Sequence, residues 1–110
     1  MTIQYSESLD NKFHALGDGS RREILALISK RKSCTAGEIV KLFNSSQPTI
    51  SKHLKVLERA GLIVRHIDGR HHNFTIEANG LIEAETWIKR HLVFWENSLD
   101  RLGQFLDEKK

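Results

Sequence analysis

Between residues 46 and 59 the chain sets Ser46, Gln47, Thr49 and Ser51, each a short hydrogen-bonding side chain, beside the imidazole of His53 and the cations Lys52, Lys55 and Arg59. Hydroxyl, amide and imidazole groups can pair with the donors and acceptors on base edges, while ammonium and guanidinium groups neutralise phosphates. That mixture suits contact with duplex DNA. Arg65, Arg70 and His71 extend it. Residues 47–72 hold five cations (Lys52, Lys55, Arg59, Arg65, Arg70) against Glu58 and Asp68, a net +3 that equals the formal charge of the whole chain. From Leu81 onward five Lys+Arg face six Asp+Glu, so the positive excess is concentrated in one segment, as a phosphate-binding footprint requires. Four of the six histidines, His53, His66, His71 and His72, lie in that segment. An unperturbed imidazole titrates near pH 6.5, so attraction to phosphate is expected to strengthen between about pH 8 and 6.

Other chemistries find little support. Cys34 is the single cysteine, which excludes an intrachain disulfide and any zinc site built from two thiolates of one chain. Its natural place is as a small buried residue. His71 and His72 are adjacent, and neighbours on a strand point to opposite faces, so they cannot chelate one ion together. Glu83, Glu85, His91 and Glu96 offer one imidazole among carboxylates, a poor zinc set that reads as a solvated helix face. There is no glycine-rich phosphate loop and no nucleophile with a placed base, so neither an enzyme nor a cofactor is expected. Trp87, Phe94, Trp95 and Phe105 could line an effector pocket, but the spacing of Trp95 assigns it to packing.

The elements that must position these residues follow from periodicity and caps. Leu9, Phe13 and Leu16 recur at helical spacing behind Ser6 or Ser8, which predicts a first helix over about 7–16. Asp18 or Ser20 opens a second helix with Ile24, Leu25, Leu27 and Ile28 inward, ending in Lys30, Arg31 and Lys32. Thr35 and Glu38 form a capping box for a short third helix whose inward face is Ile39, Leu42 and Phe43. Asn44 and Ser45 break it, Ser46 restarts a helix, and Pro48 sits in the first turn, where backbone N–H groups lack partners anyway. In this fourth helix Ile50, Leu54 and Leu57 cluster within about 60° of one another, leaving Thr49, Ser51, Lys52, Lys55 and Arg59 on the opposite face and Glu58 at its margin. Beyond Gly61, two β-prone stretches flank Asp68-Gly69, the signal of one isolated hairpin. A last helix over about 80–108 carries Ile88, Leu92, Trp95, Leu99, Leu102 and Leu106 in steps of four and three, a heptad seam.

Two short helices joined by a tight turn and followed by a hairpin make a winged helix-turn-helix, mainly α with a β-hairpin wing and about five helices. The 110 residues, with one proline and no Gly/Ser-rich linker, fit one domain over 1–110. The apolar fraction of 39% is modest, so part of the stability is expected from a partner subunit. Leu9 and Phe13 of the first helix and the six seam residues of the last are the expected homodimer contacts. Met1–Asp10 lacks a basic region leading into an apolar run, and no stretch approaches the roughly eighteen apolar residues of a membrane span, so a cytoplasmic protein without membrane attachment is expected.

The segments Phe13-His-Ala-Leu-Gly-Asp-Gly-Ser-Arg-Arg-Glu-Ile-Leu, Thr35-Ala-Gly-Glu-Ile, Ser46-Gln-Pro-Thr-Ile-Ser-Lys-His-Leu-Lys-Val-Leu-Glu-Arg-Ala-Gly-Leu-Ile and Asp68-Gly-Arg resemble the ArsR family of winged-helix transcriptional regulators. The resemblance covers residues 9 to about 78. It implies a homodimeric repressor, joined by its first and last helices, with the fourth helix in the major groove; two-fold symmetry then predicts an inverted-repeat operator. Family sensors of arsenic, cadmium or lead use a Cys-x-Cys pair in the third helix, absent from Ala36–Phe43, and persulfide sensing needs two cysteines. The tail with Trp87, Phe94-Trp95 and Leu99-Asp100-Arg101-Leu102 resembles a non-metal-sensing branch, which leaves room for an unidentified small-molecule effector. The alternative is a winged-helix protein-protein adaptor. Such modules need no cationic fourth helix, and steep salt dependence of DNA binding separates the two.

Overall fold

Helices begin in this chain where a side-chain oxygen can replace a missing backbone acceptor. The computed structural model describes residues 6–108. Helix α1 (Glu7–Leu16) is capped by Ser6, α2 (Gly19–Arg31) by Asp18, α3 (Ala36–Phe43) by Thr35 and α4 (Gln47–Arg59) by Ser46, each accepting from the N–H three residues on. The Asp18 carboxylate is held below its ordinary range, first by the Arg21 N–H and also by the nearby charges of Arg21 and His53. A depressed carboxylate stabilises the fold above its unfolded pKa, and this contribution is lost as pH falls through the folded value. At α3, the Glu38 N–H donates to Thr35 Oγ1 (3.2 Å) and the same hydroxyl donates to the Glu38 carboxylate (3.2 Å). Thr35→Ala removes both bonds and is expected to cost about 1 kcal/mol, read by urea denaturation; a loss below about 0.3 kcal/mol would contradict the cap's role.

The helix endings are equally local. Asn44 takes a left-handed φ of 48° and closes α3. At the end of α4, Leu62 N–H returns to Leu57 C=O and Gly61 N–H to Glu58 C=O, with Gly61 at φ +74°, a Schellman turn that hands the chain to the sheet.

Strands β2 (Ile63–Asp68) and β3 (His71–Ile76) pair antiparallel with Asp68 opposite His71. The loop is therefore Gly69-Arg70, one residue later than expected: Asp68 belongs to the strand, and Gly69 supplies the positive φ (+59°) at the first central position. The hairpin is not isolated. Strand β1 (Cys34–Thr35) pairs with β3, Cys34 opposite Phe74, giving a three-stranded sheet of order β1-β3-β2. Cys34 is buried there, and burial pushes its thiol up, with Glu38 adding to the effect and Arg31 opposing it. It packs as a small apolar side chain.

The core gathers Ile24, Leu25 and Ile28 of α2, Ile39 of α3, Ile50, Leu54 and Leu57 of α4, and Leu62, Ile63 and Phe74 around the wing. Leu42 does not join it. Val40 and Phe43 pack against the core instead, and Leu42 is left exposed on the rim of a shallow groove shared with Leu27 of α2, because two turns of helix can present only one stripe inward. Helix α5 (Ala78–Glu108) spans about 46 Å at 1.5 Å per residue and packs its N-terminal part on α1. Phe13 meets the edge of Trp87 with ring centroids 5.4 Å apart, and Trp87 stacks on His91 at 4.0 Å. Trp87 and Trp95 remain exposed in the protomer rather than forming part of its core. The side chains of Phe94 and Phe105 lie outside the described residues. Among the described residues, no helix is long and apolar enough to cross a membrane.

Candidate nucleic-acid interface

Helix α4 buries Ile50, Leu54 and Leu57, and this fixes its rotation: Gln47, Thr49, Lys52, Lys55 and Arg59 are exposed, with Ser51 and His53 half-buried at the edges of that face. The wing folds back beside it. Between them, and closed at one end by Thr35–Gly37, lies an open groove of about 510 Å³. Of the residues picked from the sequence it brings together Gln47, Ser51 and Lys55 from α4 with Arg65, Arg70 and His71 from the wing. Ser46, Thr49, Lys52, His53 and Arg59 do not line it. Ser46 and Thr49 are engaged with each other at the helix start, Thr49 N–H donating to Ser46 Oγ (3.3 Å) and Ser46 Oγ donating to Thr49 Oγ1 (2.8 Å). His53 lies close enough to Asp18 for its charge to act on that carboxylate.

The wing's polar side chains differ in how free they are. Arg70, in the hairpin loop, and His71 are exposed. Arg65 is half-buried: Nη2 donates to Glu58 Oε1 at 3.2 Å, Nη1 donates to His72 Nδ1 at 3.1 Å, and the guanidinium lies 5.0 Å from the centroid of Phe74. A guanidinium only donates, so His72 accepts at Nδ1 and carries its proton on Nε2. His66 shares a 2.8 Å hydrogen bond with Thr75 Oγ1. Of the four histidines, His71 and His72 line the groove, and His72 is turned to Arg65.

One polar cluster is invisible in the sequence. Lys12, on α1, is 5% exposed, donates to Ser8 Oγ at 2.8 Å and pairs with Glu83 of α5 at 3.2 Å. Glu83 is thus an ion-pair partner as well as a part-solvated glutamate, its side chain 42% exposed. A lysine on a short amphipathic helix gives no hint of burial until the partner carboxylate from α5 is brought to it. Among the described residues, no three of His, Cys, Asp or Glu converge on a point where a metal ion could be held.

A tight helix pair whose second member exposes a cationic and hydrogen-bonding face beside a hairpin is the winged helix-turn-helix arrangement used by DNA-binding proteins. The pattern of bacterial regulatory proteins of the arsR family matches residues 18–64. The transcriptional repressor SdpR of Bacillus subtilis (strain 168) is 34% identical over 91 residues, covering 83% of this chain and 100% of that protein. An ArsR-like transcriptional regulator from Rhodococcus sp. RHA1 has a TM-score of 0.82 at 26% identity, covering 98% of each chain. The homodimeric winged helix-turn-helix DNA-binding domain Mb0332 of Mycobacterium bovis shares the fold with a TM-score of 0.63 at 18% identity, covering 84% of this chain and 90% of that one. The chain belongs to the ArsR family.

Proposed function

We propose that this ArsR-family regulator is a homodimeric repressor that binds an inverted-repeat operator, with α4 of each protomer in the major groove and the wing tip at the flanking minor groove. The observation that carries the reading is the groove between α4 and the wing, where Lys55, Arg70 and His71 stand exposed beside Gln47 and Ser51. Two-fold symmetry sets the operator: two α4 helices address half-sites whose centres lie about one helical turn, roughly 34 Å, apart. Gln47, Thr49, Ser51 and His53 read base edges near the start of the helix. Ser46 holds that first turn, and Lys52, Lys55, Arg59, Arg70 and His71 address phosphates or the minor groove. The dimer forms through α1 and α5, where the seam is uncovered in the protomer. The relative SdpR is named a repressor and the Mycobacterium bovis domain a homodimer, and both descriptions agree with this reading.

The test is operator affinity measured over a range of salt. Lys55→Ala is expected to weaken binding to all sequences alike and to reduce the log-log salt slope by about 0.9 for each phosphate left without its cation. Gln47→Ala is expected to leave the slope intact and relax preference at one base pair per half-site. A Lys55→Ala protein with altered sequence preference and an unchanged slope would overturn the assignment.

A further inference from the structure

By charge alone Arg65 belongs with the DNA-facing cations, but its surroundings point elsewhere. Glu58 is the single acid of α4. It stands at the edge of a face that otherwise attracts phosphate, and it stands in the last turns of a helix, where the macrodipole opposes negative charge. Both effects disfavour a carboxylate there. Its partner explains its presence: Arg65 of β2 reaches back to α4 and divides its guanidinium between Glu58 (3.2 Å) and His72 of β3 (3.1 Å). The guanidinium carbon lies over the ring of Phe74, which is opposite Arg65 in the strand register and is itself buried. One side chain thus touches the recognition helix and both wing strands. Its charge is half-buried and faces Glu58, whereas Lys55 and Arg70, in the same groove, are exposed and form no ion pair with Glu58.

We propose that Arg65 is a positioning residue that clasps the wing to α4 through Glu58 and His72 and so sets the width of the groove entered by the DNA backbone. The inference rests on the DNA-binding role proposed above. It gives Glu58 a sign opposite to that of plain electrostatics. A solvated acid beside phosphate weakens binding, so Glu58→Ala should then tighten it; as the anchor of a clasp, Glu58 supports binding and its loss weakens it. Alanine keeps the helix, being the strongest helix former.

The experiment measures operator affinity across salt for wild type, Glu58→Ala, Arg65→Lys, Arg65→Met and the double variant Glu58→Ala/Arg65→Met, with circular dichroism to confirm folding. Imidazole nitrogen NMR of His72 is recorded in parallel for wild type and Arg65→Met. The expected result is a loss of about fivefold for Glu58→Ala, the scale of one part-exposed ion pair. A similar loss is expected for Arg65→Lys, which keeps the charge but loses the fork. Glu58→Ala is expected to cause no further loss in the Arg65→Met background. His72 should show a bare, hydrogen-bonded Nδ1 in wild type and lose that signature in Arg65→Met. Tighter binding by Glu58→Ala together with wild-type affinity for Arg65→Lys would make Arg65 a phosphate ligand and overturn the clasp. A wild-type protein with no salt-dependent DNA affinity would remove the DNA-binding reading itself, and this inference with it; the His72 signature shows separately whether the fork exists in solution.

Discussion

Replacing Trp95 and Leu99 together with alanine is expected to leave a folded protomer that no longer dimerises. In the single chain Trp95 is 63% and Leu99 57% exposed, and their neighbours along the seam, Ile88, Leu92, Leu102 and Leu106, are exposed as well. A heptad stripe of that size left in water on a 31-residue helix is the expected surface of an α5-to-α5 contact. Since the protomer's core draws on α2, α3, α4 and the sheet, removing these side chains takes little from the fold of one chain. Across the interface each truncation removes about 2 to 5 kcal/mol if the side chain is buried there. The pair together should raise the dimer dissociation constant at least about a thousandfold. Sedimentation at micromolar concentration is expected to show dimer for wild type and monomer for the variant, with unchanged helical content. A monomeric wild type, or a variant that stays dimeric, would contradict the role given to α5.

Among the glycines, Gly80 is the one where an added methyl meets the tightest contact, and Gly80→Ala is expected to destabilise the protein strongly. Gly80 is buried in the first turns of α5, and a Cβ there would overlap the backbone carbonyl of Gly61 and crowd Lys12. Neither neighbour yields easily. Gly61 holds a left-handed φ of +74° within the Schellman turn, and Lys12 is tied to Ser8 and Glu83. The added carbon therefore pushes α5 away from the turn between α4 and the wing. A loss of at least about 2 kcal/mol is expected, at the upper part of the overpacking range. Urea denaturation checks it, and a variant within about 0.5 kcal/mol of wild type would show that the close approach of α5 to this turn is not maintained in solution.

That junction also shows where reading from sequence stops. Features encoded within a few residues were legible: the caps Thr35 and Ser46, Pro48 in the first turn of α4, the one-sided distribution of Ile50, Leu54 and Leu57 that leaves Lys52, Lys55 and Arg59 outward, and the seam of α5. Features made by distant residues were not. Strand β1 is two residues long, too short for any periodicity, and exists because β3 offers it Phe74 and Asn73 as partners. Lys12 reads as a surface lysine until Glu83 arrives from α5, and Gly80 reads as a helix start until Gly61 is laid against it. Arg65 belongs to both groups. Its charge was visible, but that the charge faces Glu58 and His72 depends on how β2 crosses α4. Leu42 fails for a simpler reason: on a helix of eight residues, a shift of one position in the apolar stripe changes which side chain is left outside.

Symmetric operator binding is tested by passing a random pool of duplex DNA fragments over the purified protein, sequencing what is retained, and footprinting the protein on the enriched sequence. The expected result is an inverted repeat whose half-site centres lie about one helical turn apart, protected symmetrically and released as salt is raised. Retention with no common sequence, or a single unrepeated site occupied by one protomer, would contradict it.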